Sequence, residues 1–139
     1  MAGVDAEAAR TRLAAARVAR LATASADGVP HLVPIVFAVR GERLYFAVDH
    51  KPKRGTDLRR LRNIAANPAV SVLADEYSDD WRRLWWVRAD GSATILVDDV
   101  LRTEALDLLA AKYEQYRAEV PQGPVVAVTI HRITGWSFT

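Results

Sequence analysis

The chain has 139 residues, half of them hydrophobic, so it is long enough for one domain over residues 1–139 and too apolar for a disordered segment. It contains no cysteine, which excludes disulfides and thiolate metal sites, and its net charge is only +2. No apolar run reaches the roughly 20 residues of a membrane span, so we expect a cytoplasmic protein with no membrane partner.

The N-terminal part of the chain predicts a helix followed by a hairpin. Residues 5–17 are rich in alanine and other strong helix formers, and Asp5 is a suitable N-cap. Residues 18–25 and 29–39 have the composition of strands, and the turn sequence ADG at 26–28 separates them.

Two prolines stand in the second strand of this hairpin. Pro30 and Pro34 have no backbone N–H to donate to a neighbouring strand. The second strand is therefore predicted to lie at a sheet edge, to contain a bulge or to be open to a ligand.

The next stretch predicts a strand, a turn and a helix. After a turn at 40–43, the alternating residues 44–48 would form the third strand of a meander, which Pro52 would end. Thr56 is the predicted N-cap of a short helix that closes at residues 67–68. The predicted apolar face of this helix consists of Leu58, Leu61, Ile64 and Ala65.

Basic residues are concentrated around that turn and helix. Residues 51–62 include six basic residues and one acidic residue, so this segment carries +5 while the rest of the chain carries −3. A helix N-terminus flanked by Lys51, Lys53 and Arg54 favours a phosphate or carboxylate ligand. Because the excess is local, no nucleic-acid partner is indicated.

The following segment contains a strand, a polar loop and two adjacent tryptophans. Residues 70–74 resemble a buried strand and 75–83 a loop. Residues 84–97 form either a hairpin that turns at Asp90 and Gly91 or one long strand with a bulge. In both cases Trp85 and Trp86 point to opposite faces, because neighbouring side chains alternate along a strand.

The C-terminal part predicts a helix and a last strand. Asp98 or Asp99 can cap a helix that continues to about Arg117, and residues 125–133 form a strand that ends before Trp136. The total is six strands and three helices, which makes the fold mainly β with flanking helices. A closed antiparallel barrel with the helices outside fits this order better than alternating βαβ units.

Several common catalytic motifs are missing from the sequence. There is no glycine-rich dinucleotide fingerprint, no P-loop and no nucleophile elbow. His31, His50 and His131 lie far apart without metal-ligand spacing, so no metal site is predicted. If the protein is an enzyme, its reactive group is expected to come from a cofactor.

The order of five segments resembles the pyridoxamine 5'-phosphate oxidase-like split β-barrel family. These segments are RLATASADGVPHLVPIVF, LYFAVDHKPKR, LRNIAANPAVSV, RLWWVRADGSA and GPVVAVTIHRITGW. They are most similar to the actinobacterial branch of probable deazaflavin (coenzyme F420)-dependent enzymes. The resemblance implies a six-stranded antiparallel split β-barrel, a homodimer and a cofactor in a cleft between the subunits.

The resemblance also implies which residues bind the cofactor. The second strand would line the tricyclic ring, the third strand would border the same cleft, the basic turn would hold the phosphate, and two tryptophans would flank the ligand. The residues at these positions are Leu32, Val33, Pro34, Ile35, Val36, Ala47, Val48, His50, Lys51, Lys53, Arg54, Trp86 and Trp136.

The expected activity is hydride transfer between reduced F420 and a small electrophilic molecule. Two features favour F420 over FMN. FMN-binding members of the family carry arginine and lysine in the second strand, where this chain has LVPIV. In addition, Arg54, Arg59 and Arg60 could meet the polyglutamate tail of F420. Two alternatives stay open. One is an FMN-dependent pyridoxamine phosphate oxidase-like enzyme, acting on a pyridoxal-type amine or a haem-derived pigment. The other is a non-catalytic protein, either an F420 or flavin carrier or a weak nucleic-acid binder. The sequence assigns no acid or base, although His50 and Tyr77 are candidates for a proton donor.

Overall fold

One antiparallel sheet is the framework of the molecule, which the computed structural model describes for residues 2–48, 58–97 and 100–139. Within these residues the sheet has eight strands. The strands are β1 (Ala2–Val4), β2 (Ala19–Ala24), β3 (Pro30–Ile35), β4 (Ala38–Arg40), β5 (Arg43–Ala47), β6 (Ala69–Glu76), β7 (Trp85–Leu96) and β8 (Val125–Ser137). The predicted mainly β class is confirmed, whereas the predicted number of six strands is wrong.

The strand order is β3-β2-β6-β7-β8-β5-β4, and β1 pairs with the far end of β8. The hairpin of β2 and β3 is confirmed, and β3 ends the hydrogen-bonded order, as its two prolines suggested. The predicted meander is wrong. The segment 29–39 breaks at Val36 and Phe37, and its two halves, β3 and β4, lie at opposite ends of the strand order.

The sheet curls around a shared hydrophobic core. Ile35 on β3, at one end of the strand order, and Phe46 on β5, next to the strand at the other end, belong to the same buried cluster. A second buried cluster forms between β5, β8 and helix α3 (Val100–Lys112). Burial of these side chains is the main stabilising contribution to such a fold.

The described helices lie around the sheet. They are α1 (Ala6–Ala15), α2 (Arg59–Ala66), α3, α4 (Glu114–Ala118) and a short 3-10 turn at Trp81–Arg83. The Asp5 cap is confirmed, because its Oδ1 accepts from the Ala8 N–H at 2.8 Å. None of the described helices is long and apolar enough to cross a membrane.

The structure corrects two of the predicted helices. Helix α2 begins at Arg59 with Leu58 in the N-cap position, the predicted cap Thr56 lies outside the described residues, and Ala65 is exposed. Asn63 takes a buried position instead and donates from Nδ2 to Thr23 Oγ1 at 3.0 Å. The predicted helix through Arg117 is two helices, α3 and α4, and its predicted caps at 98–99 lie outside the described residues.

Strand β7 resolves the open question at Gly91. Residues 85–96 form one strand, and its register against β8 shifts between Asp90 and Gly91. A Cβ atom at Gly91 would collide with the carbonyl oxygen of Thr129, so a close backbone approach requires glycine here. Strand β8 also continues further than predicted and includes Trp136.

Candidate functional site

A cavity of about 460 Å³ lies on the outer face of the sheet, across β3, β2, β6 and β7. Its apolar and aromatic wall consists of Leu32, Leu73, Tyr77 and Trp86. Two of these side chains are largely open to solvent, since Leu32 is 66% exposed and Tyr77 is 64% exposed. Large exposed apolar groups that share one concave surface indicate a binding site.

Strand register explains why these side chains meet. Residues directly opposite each other on antiparallel strands point to the same face. Arg20 on β2 is opposite Leu73 on β6, and Leu73 is opposite Arg88 on β7. The cavity floor is therefore a row of two arginines with a leucine between them.

The two arginines have different electrostatic surroundings. Arg88 Nε lies 3.2 Å from Asp90 Oδ1, and Ser71 Oγ donates to the same oxygen at 2.6 Å. The Arg88 guanidinium also lies 6.0 Å from the centre of the Trp86 ring. Arg20 is exposed and makes no ion pair within the described part of the chain. Its charge is therefore available to an anionic or electron-rich ligand.

The adjacent tryptophans point to opposite faces, as predicted. Trp86 lines the cavity, while Trp85 packs against the larger core and its Nε1 donates to Glu76 Oε1 at 3.4 Å. Trp136 is directly opposite Trp86 on β8 and is half-buried. Trp86 and Trp136 therefore share the outer face of the sheet.

The structure divides the other expected site residues between two sides of the sheet. Leu32 and Pro34 point outward and are exposed, whereas Val33 packs on the core and Ile35 is buried in it. Val36 packs against the second cluster. On β5 and just after it, Ala47 and Val48 are buried. His50, Lys51, Lys53 and Arg54 lie outside the described residues.

Sequence reasoning missed Arg20 and Arg88 as cavity residues. The available signal was a basic residue at an outward position of an otherwise apolar strand, in ARLATA and in WWVRA. Recognising that the two arginines meet requires the pairing of β2, β6 and β7, which the sequence does not reveal. Tyr77, a candidate proton donor, does line the cavity.

A second, more polar cavity of about 540 Å³ adjoins the first at Ala22 and Ser71. In it the Ser92 hydroxyl and His131 Nε2 are hydrogen-bonded at 2.9 Å. Across residues 2–48, 58–97 and 100–139, no three histidine, aspartate or glutamate side chains are grouped so that they could hold a metal ion.

Lys112, the last residue of helix α3, and Tyr113, which follows it, hold the open end of the β2–β3 hairpin. The buried Tyr113 hydroxyl lies 2.9 Å from the Arg17 carbonyl oxygen, just before β2, and accepts from the Phe37 N–H, just after β3, at 3.1 Å. Lys112 Nζ donates to the carbonyl oxygens of Ala16 at 2.7 Å and Phe37 at 2.9 Å. Two side chains thus anchor both strands that carry Arg20 and Leu32.

This cluster also shifts the pKa of each side chain. Burial, with a smaller contribution from the nearby Arg17 charge, lowers the pKa of Lys112 to about 8. Burial raises the pKa of Tyr113. The tyrosine therefore keeps its proton, and its hydroxyl remains a donor, throughout the physiological pH range.

Comparison with known proteins agrees with the observed fold. The model of a family described as pyridoxamine 5'-phosphate oxidase matches residues 6–137. Among curated proteins, none is significantly similar in sequence.

Solved structures share the fold over almost the whole chain. An FAD-binding protein from Mesorhizobium loti is 26% identical, with 96% of this chain and 95% of that chain covered and a TM-score of 0.71. The FAD-binding protein from Mycobacterium smegmatis is 23% identical, with 98% and 97% covered and a TM-score of 0.71. The heme storage protein HutZ from Vibrio cholerae is 17% identical, with 94% and 90% covered and a TM-score of 0.71. The expected split-barrel architecture is thereby confirmed.

Proposed function

Since the chain belongs to the pyridoxamine 5'-phosphate oxidase family, we propose that it is a cytoplasmic oxidoreductase that binds coenzyme F420 and uses it to reduce a small electrophilic molecule. The observation that carries this proposal is the outer cavity, where Leu32 and Trp86, expected on separate strands to flank the ring, line one surface. Arg20 adds a positive charge to that surface.

The cavity fits a planar ring. Its volume of about 460 Å³ lies within the usual range for small-molecule sites, roughly 300 to 1,000 Å³. Trp86 offers an aromatic face for stacking, and Leu32 and Leu73 offer apolar contact. A bound deazaflavin would supply the hydride, while Trp86 and Leu32 would orient its ring and Tyr77 would place a hydroxyl at the cavity mouth.

The anionic part of the coenzyme is assigned to the basic turn. Lys51, Lys53 and Arg54 would hold the phosphate, and Arg59, which is exposed at the start of α2, would extend the positive surface toward the polyglutamate tail. The number of basic residues supports F420 over the shorter FMN phosphate.

A homodimer is part of the proposal. The outer face presents Leu32 on β3 and, beyond the two intervening strands β2 and β6, Trp86 and Trp136 on the neighbouring strands β7 and β8. A second copy of the chain over this face would exclude water from the ring.

A flavin is the second candidate cofactor. Two similar structures, from Mesorhizobium loti and Mycobacterium smegmatis, are of FAD-binding proteins. A flavin-dependent oxidase or a flavin carrier would use the same apolar cavity.

Titration of the protein with F420, FMN and FAD, followed by ligand fluorescence, tests the proposal. We expect F420 to bind most tightly and Trp86→Ala to weaken binding by about 5- to 30-fold, because aromatic stacking contributes about 1 to 2 kcal/mol. The matched control is Trp81→Ala, since Trp81 is 65% exposed and lies outside the cavity. Tighter binding of FMN or FAD would favour the flavin enzyme, and binding without turnover of quinones or enones would favour a carrier. If none of the three binds, the proposed function is wrong.

A further inference from the structure

The outer edge of β3 presents its backbone in a defined pattern. In an antiparallel hairpin, facing residues alternate between hydrogen-bonded and non-hydrogen-bonded pairs. The Ser25 N–H donates to the Val29 carbonyl at 3.0 Å, which fixes the start of this alternation. Ser25 and Val29 are thus a hydrogen-bonded pair. Ala22 and Leu32 are three pairs further along the hairpin, so they form a non-hydrogen-bonded pair. The N–H and carbonyl of Leu32 therefore point away from β2, toward the edge.

The same alternation assigns both prolines to the edge. Pro30 faces Ala24 and Pro34 faces Arg20, so both belong to the class of pairs that Leu32 occupies. Neither proline has an N–H, and no other described strand pairs with this side of β3. From residue 30 to residue 34, the edge therefore offers three carbonyl oxygens and a single N–H donor, that of Leu32.

This pattern disfavours another strand as the partner of the edge. Strand addition requires alternating donors and acceptors, and prolines on an edge strand are a common means of preventing it. A small ligand needs only one donor in the right place. Leu32 lines the cavity, so a ligand held there lies next to the residue that carries this donor.

We propose that the Leu32 N–H donates a hydrogen bond to an acceptor atom on the edge of the bound ring, so that β3 selects planar heteroaromatic ligands with a ring carbonyl or an unprotonated ring nitrogen there. The inference rests on the proposed function, because F420 and flavins both carry a pyrimidinedione edge of this kind. It assigns the recognition to the backbone, which explains how an apolar strand could select a polar ring.

Two substitutions at one position separate the N–H from the side chain. Leu32→Ala keeps the N–H and removes most of the side chain, whereas Leu32→Pro removes both and leaves the ladder to β2 unchanged. We expect Leu32→Ala to weaken binding of F420, or of whichever ring the wild type binds, by less than about fivefold. We expect Leu32→Pro to bind at least about tenfold more weakly than Leu32→Ala, because a neutral hydrogen bond is lost. Equal affinities of the two variants, with unfolding midpoints like that of the wild type, would overturn the proposal.

Amide hydrogen exchange of the wild type gives a second measurement that does not depend on the folding of a variant. We expect ring binding to slow exchange at Leu32 by at least tenfold, while the amide of Val33, already paired to β2, changes little. Unchanged exchange at Leu32 with saturating ring would contradict the assignment of the donor. A wild type that binds no ring at all would instead defeat the proposed function.

Discussion

The β2–β3 hairpin has two regions that differ in whether their backbone groups find hydrogen-bond partners within the described part of the protein. At its open end, Lys112 and Tyr113 of the α3 region supply partners for both the N–H and the carbonyl of Phe37. Along its outer edge, the N–H of Leu32 points away from β2, and the described residues include no strand that pairs with it there. The open end is fixed by two side chains from a distant part of the chain, whereas the edge is free to bind a partner from outside the fold.

Rigidity and ligand binding are thus assigned to different ends of the β2–β3 hairpin. The buried end contains polar groups that would be costly without partners, and each has one. The exposed edge can leave a donor to solvent at little cost until a ligand replaces the water. Substitutions at the two regions should therefore affect stability and ring binding to different extents.

The largest expected effect comes from moving a proline by one residue along β3. Val33 faces Leu21 in a hydrogen-bonded pair, so Val33→Pro removes an N–H that the ladder uses. We expect it to lower the free energy of unfolding by about 3 kcal/mol or more. Leu32→Pro, whose N–H the ladder does not use, should cost less than about 1 kcal/mol. Urea unfolding of both variants measures the difference, and equal losses would contradict the assigned hydrogen-bond pattern.

Removing the Tyr113 hydroxyl should have the next largest effect. Tyr113→Phe leaves the Phe37 N–H without a partner in a buried position, so we expect a loss of about 2 kcal/mol in the free energy of unfolding. Tyr77→Phe is the matched control, because Tyr77 is 64% exposed, and it should change stability by less than about 0.5 kcal/mol. If the two variants unfold at the same urea concentration, the hydroxyl does not hold the hairpin.

The same comparison shows which features were predictable from the sequence. The Asp5 cap and the turn at 26–28 depend on neighbouring residues, and the structure confirms both. Pro30 and Pro34 left an edge, a bulge or an opening to a ligand as alternatives, and the structure places their strand at an edge. The break at Phe37 depends on Lys112 and Tyr113, which are 75 and 76 residues away in the chain. Local patterns carry no information about such a contact, so residues 29–39 were predicted as one strand.

The residues of the candidate site were likewise only partly predictable from the sequence. Leu32 and Trp86 were expected from the family resemblance, and the structure places both in one cavity. Arg20 and Arg88 enter that cavity only because β2, β6 and β7 are neighbours in a particular register. Alternation along one strand predicts which face a residue occupies, whereas the residues it meets across the sheet depend on the whole topology.

The smallest expected effect concerns the pH dependence of the fixed end. With a pKa of about 8 in the folded protein and 10.5 as the ordinary value, Lys112 binds fewer protons in the folded chain than in the unfolded chain between these limits. The free energy of unfolding should therefore rise with pH across this window in the wild type relative to Lys112→Met. Below the window the Lys112 amine is protonated in both the folded and the unfolded chain, so it adds no pH dependence there. Because the amine is half-buried and partly screened by solvent, we expect a gain of less than about 1 kcal/mol. Urea unfolding from pH 7 to 10 measures the gain, with Lys53→Met as the control for the lost charge. Tyrosine ionisation occurs in all three proteins and cancels in the difference, so parallel curves for wild type and Lys112→Met would mean that burial does not disfavour the charged amine at this end of the hairpin.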